Sequence, residues 1–158
     1  MGFDEQEHQG QMVVHKDVAT DVEAFFALAH TLRFPIEKVI PISNPLYGWD
    51  DAISCDDNNS SGFNYRHVSG DPSRLSQHAL GRAFDINPVQ NIYIRYDKEL
   101  REVFRAPANG VYDTYVQGTL SAWHLLVTFL KTRGWEWGGD WAAESGRIDY
   151  QHFEKKEQ

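Results

Sequence analysis

Ser76-Gln77-His78-Ala79-Leu80-Gly81-Arg82-Ala83-Phe84-Asp85 places an imidazole and a carboxylate seven residues apart across a glycine turn. Gly81 lets the backbone bend, so that His78 in the turn and Asp85 in the extended piece after it can approach one point. From Ala83 to Asn87 the residues alternate as a strand would. Ala83, Asp85 and Asn87 share one face, while Phe84 and Ile86 on the other anchor the strand in a core. A second imidazole lies near the other end of the chain, in Asp149-Tyr150-Gln151-His152-Phe153-Glu154, where an acid precedes the histidine by three. Asp149 and His152 can therefore sit on one side of a single turn and approach the same site. His78, Asp85 and His152 are three zinc-ligand side chains, and three protein ligands leave a zinc ion one open position, the arrangement of a catalytic site. A structural site closes with four ligands, mostly cysteine, and this chain has only Cys55.

Every fixed position of the pattern S-x-H-x-x-G-x-A-x-D is filled between Ser76 and Asp85, and Trp137-Gly138-Gly139-Asp140-Trp141 with Asp149-x-x-His152-Phe153 follows in order. In both motifs the chain resembles the zinc D-alanyl-D-alanine carboxypeptidase and dipeptidase superfamily of bacterial peptidoglycan peptidases, which includes phage L-alanyl-D-glutamate endopeptidases. The resemblance runs from roughly Phe63 to Phe153. It implies a zinc ion (Zn2+) held by His78, Asp85 and His152, with Asp149 as the base that takes a proton from the attacking water. It also implies that Arg66 contacts the substrate or the developing oxyanion, and that Ser76 orients substrate or a ligand by hydrogen bonding. Many relatives carry Glu at the position of Asp149, whereas the endopeptidase branch carries Asp. The implied substrate is a peptidoglycan stem peptide or muropeptide, cut by D,D-carboxypeptidase or L,D-endopeptidase action at the bacterial cell wall, by an exported or phage-released enzyme.

Two other readings stay open. A non-catalytic, metal-stabilised module that binds cell wall or protein would keep the same fold, although the retained Asp149 favours an enzyme. Hydrolysis of a small non-peptide amide would need a tighter pocket than the long loops suggest.

Composition excludes several classes. A length of 158 residues with 41% apolar and 13% aromatic side chains makes one domain with a real core. Residues 1–10 read as a flexible polar segment and 11–158 as the zinc peptidase-like domain, expected to be monomeric. A formal charge of −8 gains nothing from phosphate counterions, so no nucleic-acid partner is expected. No run of 18 apolar residues predicts membrane insertion, and the acidic start Met1-Gly2-Phe3-Asp4-Glu5 lacks the features of a signal peptide. Asp56 and Asp57 beside Cys55 disfavour a thiolate nucleophile.

Along the chain, Gln11 to His15 reads as a short strand. A capping box at Thr20 and Glu23 opens a helix whose apolar face is Val22, Phe25, Phe26, Ala29 and Leu32, stopped by Pro35. Ile36 to Ile42 suggests a strand. Ser43 to Gly62 reads as a substrate-side loop. Asp57, Asn59, Ser61 and Gly62 open like a calcium loop, but Val68 stands where the bidentate Glu is required, so Asx-turns are preferred. Phe63 to Val68 alternates with Asn64, Arg66 and Val68 on one face and His67, taken as structural, on the other. Ser69 to Leu75 reads as a loop. Asn87 to Gly118 reads as irregular, with a brief extended piece at Ile92, Ile94 and Tyr96. A second helix is expected over about Thr119 to Arg133, with Leu120, Trp123, Val127 and Leu130 on one side and His124 a core histidine; Gly134 ends it. Trp135, Trp137 and Trp141 flank the Gly138-Gly139 pair, where they suit either core packing or an extended peptide; Trp137 is the one assigned to substrate. Asp140 reads as a structural acid, and Glu144 and Glu154 as alternative bases. The expected fold is a single small α+β domain, an antiparallel sheet with helices packed on one face and the zinc site in a groove on the other.

Overall fold

The computed structural model describes residues 1–156 of a small α+β domain whose core forms where the first helix meets the strands carrying the two ligand motifs. That helix, α1, spans Lys16–Thr31 and turns Val18, Val22, Phe25 and Ala29 inward at steps of three and four residues, one face of a helix. It starts earlier than the Thr20 capping box predicts. The His15 ring accepts from the Asp17 amide at 3.3 Å, so an upstream acceptor caps the helix and Thr20 lies inside it. Leu32, expected on the apolar face, is the C-cap and exposed.

Residues 1–10 are joined to the body through the Met1 carbonyl, which accepts from the Ile36 amide at 3.0 Å, and through the Phe3 ring against Gly118. The stretch after them is extended but not a strand. The Gln11 amide donates to Val39, Val13 accepts from Phe63, and the His15 amide donates to Gly81, so three segments share the bonds that one partner strand would take.

β1 (Lys38–Val39) pairs in parallel with β2 (Asn59–Ser60). Between them, inside the stretch that reads as loop, Asp50 accepts from the Ala52 and Ile53 amides and nucleates α2 (Asp51–Asp56). β3 (His67–Val68) and β4 (Asp71–Leu75) form an antiparallel hairpin that turns at Gly70, where a strand from Phe63 followed by a loop was expected. The predicted alternation survives: Asn64 is buried and Arg66 half-buried, while Tyr65 and His67 face solvent.

β5 (Ala83–Asp85) follows the histidine turn, and β6 (Tyr93–Tyr96) and β7 (Glu102–Ala106) make a hairpin in the region that reads as irregular. α3 is shorter than its apolar spacing implies, Leu125–Lys131, because the His124 ring accepts from the Leu126 amide at 3.2 Å and starts the helix there. His124 is thus a cap, and Trp123, outside the helix, is 77% exposed. β8 (Glu136–Trp137), β9 (Arg147–Asp149) and β10 (His152–Glu154) complete the chain.

Two three-stranded antiparallel sheets, ordered β5-β10-β8 and β7-β6-β9, take the place of one larger sheet. Phe84 on β5 and Phe153 on β10 are directly paired and fully buried, with stacked rings 5.3 Å apart, and both meet Phe25 of α1. Asn87, with φ +46°, is a buried clasp. Its side chain accepts from Glu37 and donates to the Pro35 and Gly118 carbonyls, satisfying backbone groups that no strand reaches. No helix among the described residues is long and apolar enough to cross a membrane.

Candidate metal centre

Local chemistry aims each of the three ligand side chains. Ser76 caps the 3-10 turn Gln77–Leu80, its hydroxyl accepting from the His78 amide at 3.3 Å, and Gly81 closes the turn at φ +66°. A side chain at Gly81 would stand 2.7 Å from the His15 backbone nitrogen, so both the conformation and the space demand glycine. On β5 and β10, Asp85 and His152 are direct cross-strand partners. Residues 78, 85 and 152, remote in sequence, are buried together, with one ligand atom from each within 4.8 Å of the others.

The hydrogen bonds fix which ring nitrogens face inward. The Gly62 carbonyl can only accept, so His78 Nδ1–H donates to it at 2.7 Å and Nε2 carries the lone pair. His152 Nε2–H donates to the Glu154 carboxylate at 3.1 Å, leaving Nδ1 as its inward atom. His78 Nε2 and His152 Nδ1 then stand 3.1 Å apart, 3.2 and 3.0 Å from the two oxygens of Asp85. Two nitrogen lone pairs and a carboxylate converge with no donor of their own, which only a cation satisfies. The donor set therefore fits a divalent metal ion, and two imidazoles with one carboxylate suit zinc. In the metal-free protein a proton plays this part. Burial disfavours the His152 imidazolium, but Asp85 and Glu154 outweigh it and push it up to about 10. The same imidazoles hold Asp85 well below the usual carboxylate range against the cost of its burial.

The cluster floors a cleft of about 610 Å³. Asp149, on β9, lines it. Its Oδ1 is buried with no hydrogen-bond partner, and burial, reinforced by the Asp85 charge, raises its carboxyl to about 7 although His152 and Arg66 pull the other way. Arg66 reaches the cleft from the segment before β3, its Nε 3.2 Å from Asp51 Oδ1 as an ion pair but out of line for a hydrogen bond. Ser76 lines the cleft while serving as the cap.

Trp137 does not join them. It is 2% exposed in the core, and its indole N–H donates to the Tyr150 carbonyl at 2.8 Å, which leaves no face for substrate. The tryptophan at the cleft is Trp141, its ring 5.5 Å from that of His152. The glycine pair serves packing: a Cβ on Gly138 would meet the Asp149 carbonyl at 2.5 Å, and one on Gly139 the Trp137 ring at 2.3 Å. Asp140 pairs with Lys131 at 2.5 Å, and Glu144 is exposed away from the cleft. Glu154, read as an alternative base, instead holds His152. The calcium-like residues have other work: Asp57 pairs with Lys38 and Tyr47, and the Asn59 amide binds Ile40 and Ser54. Cys55 lines the cleft as a neutral thiol, its pKa pushed far up by burial and then by Asp51 and Asp85.

Sequence reasoning passes over Asp51, Tyr93 and Arg147, which all line the cleft. Arg147 carries a legible signal, since a residue two before Asp149 in a strand shares its face.

Residues 69–155 match the family model described as D-alanyl-D-alanine carboxypeptidase. Neither a curated protein nor a solved structure matches the chain.

Proposed function

The chain belongs to the D-alanyl-D-alanine carboxypeptidase family, and from that membership together with its buried His-Asp-His cluster we propose that it is a zinc-dependent peptidase of bacterial peptidoglycan stem peptides. The observation that carries this reading is the convergence of the His78, His152 and Asp85 lone pairs beside a carboxylate, Asp149, buried without a partner. Zinc held by those three residues supplies Lewis-acid stabilisation of negative charge and makes water a better nucleophile at neutral pH.

The remaining steps belong to the chain itself. Asp149 Oδ1, raised to about 7, has the proton affinity of a base that works near neutrality. It takes the proton of the water that attacks the scissile carbonyl, then returns it to the departing amine. Arg66, kept cationic and facing the cleft, offers charge to the oxygen that becomes negative in the tetrahedral state. The Glu154 carboxylate keeps the His152 ring turned with Nδ1 inward. No covalent enzyme intermediate is required.

Defined muropeptides incubated with zinc-loaded and with chelator-stripped protein test the proposal, with the cleaved bond located by mass spectrometry. A peptide-bond cut that needs the metal is expected. Stoichiometric zinc with intact muropeptides after prolonged incubation would leave a binding module in its place.

A further inference from the structure

The β7-β6-β9 sheet turns one face to the cleft, and its register shows what that face carries. Tyr93 is the cross-strand partner of Asp149, and Arg95 the partner of Arg147. Side chains directly opposite in an antiparallel pair point the same way, so two arginines stand side by side one step along the strands from the catalytic carboxylate. Like charges in that position repel and cost stability unless something neutralises them. Nothing among the described residues does. The chain has 23 acidic and 15 basic side chains, yet among the described residues neither arginine has a carboxylate within ion-pair distance; Asp149 and Asp71 feel the Arg147 charge from further off.

Both guanidiniums instead lie over aromatic rings. Arg95 lies 4.6 Å from the Phe104 centroid and Arg147 4.8 Å from that of Trp141. Phe104, Trp141 and Arg147 all line the cleft. Arg95 Nε is buried without a hydrogen-bond partner, and the Gly70 turn of the β3–β4 hairpin comes close enough that a Cβ there would sit 3.2 Å from Arg95 Nη1. Stacking on a ring fixes a guanidinium while leaving its in-plane N–H groups free, the geometry that receives a carboxylate in two parallel hydrogen bonds.

We propose that Arg95 and Arg147 form a subsite for a carboxylate of the peptide substrate. Two residues of strand separate Arg147 from Asp149, roughly 7 Å, so the bound carboxylate belongs one or two residues from the scissile bond. This rests on the peptidase reading above and adds the requirement for an acidic group, from either the chain terminus or an internal acidic residue.

The test uses a synthetic stem pentapeptide in four forms: free acid or amide at the C-terminus, each with Glu or Gln at the acidic position. Binding to zinc-loaded Asp149→Asn protein is measured by calorimetry, and turnover by the otherwise unaltered enzyme is followed in parallel. At least one acid form is expected to bind about tenfold or more tightly than its neutral twin. Which pair differs identifies the terminal or the internal carboxylate as the source. Arg147→Met and Arg95→Met, introduced into that protein, should bring the ratio to within about twofold, while Arg101→Gln, an exposed arginine of another ion pair, keeps it. Arg147→Lys and Arg95→Lys read the same ratio should a methionine variant fail to fold, since lysine cannot make the paired hydrogen bonds. Equal binding of all four forms overturns the subsite, as does a preference that survives both arginine changes, which would mean that the carboxylate ligates the metal. Hydrolysis of all four forms at equal efficiency leaves the peptidase standing and removes the subsite. A carboxylate preference without any hydrolysis does the reverse.

Discussion

Replacing Asp149 by asparagine should make the metal-free protein more stable and the metal-loaded protein inactive, for one and the same reason. Burial raises the Asp149 carboxyl from 3.8 to about 7 in the folded chain. The folded state therefore holds a proton that the unfolded state has lost, and stability falls as pH rises through that interval. The penalty is absent below the unfolded value, sets in between the two, and is complete above about 7. Roughly three pH units at about 1.4 kcal/mol each bound it at about 4 kcal/mol. Asparagine removes the charge but leaves a buried amide with no partner, which costs about 1–3 kcal/mol. A net gain of about 1–3 kcal/mol is expected at pH 8, or a rise of about 2–10 °C in melting temperature for a domain of this size. Thermal unfolding of chelator-treated wild type and variant at pH 4.5 and pH 8 measures it, and the gain should shrink at the lower pH. A variant less stable than wild type at pH 8, or a difference that ignores pH, would refute the reasoning. With zinc restored, the variant should lose about 10²–10⁴ in kcat, the contribution of a positioned general base. Wild-type activity should rise with pH through the Asp149 titration, at or below about 7 because a nearby dication favours the carboxylate, and the variant should lack that limb.

Three further outcomes follow from the geometry. His78→Ala removes one of three ligands, so stoichiometric zinc should not survive dialysis when measured by elemental analysis; full retention would mean that another side chain completes the set. Arg66→Met should lower kcat by about 10²–10³ with zinc content unchanged, as expected for loss of one cation facing the oxyanion, whereas a rise in KM alone would make Arg66 a ground-state binder. Asn87→Ala strands the Glu37 amide and the Pro35 carbonyl, while Asn91 still donates to Gly118, and it forces alanine to φ +46°; it should cost about 3–5 kcal/mol in urea unfolding, and a cost under about 1 kcal/mol would show that water takes over the clasp.

The two ligand motifs are legible in the chain because their chemistry is local. A glycine at positive φ, a serine cap and an alternating strand each act over a few residues, and together they aim His78 and Asp85. The first helix and the alternation around Arg66 are read on the same grounds. Elements whose existence depends on distant partners are not legible. β7 has no apolar alternation of its own and becomes a strand because β6 offers its edge, and β6 in turn pairs with β9, about fifty residues further on. His15 and His124 act as helix caps through ring nitrogens, a role more familiar for Ser, Thr, Asp and Asn, which is why both helix starts are misplaced from sequence. Trp137 and Trp141 both flank the glycine pair, and the sequence does not show that the Trp137 ring packs against Gly139 and turns inward.

The pairing of Phe84 with Phe153 sets a timetable for the metal site. Asp85 faces His152 only because the neighbouring aromatic pair locks those two strands in one register, and a slip of one residue would send the imidazole to the opposite side. The third ligand comes 67 residues after the second along the chain, so a nascent polypeptide emerging from the ribosome can collapse its amino-terminal half and still grip no ion. The ligand set is complete only once the final strand pairs with β5, so a chain halted before that strand lacks one of the three donors.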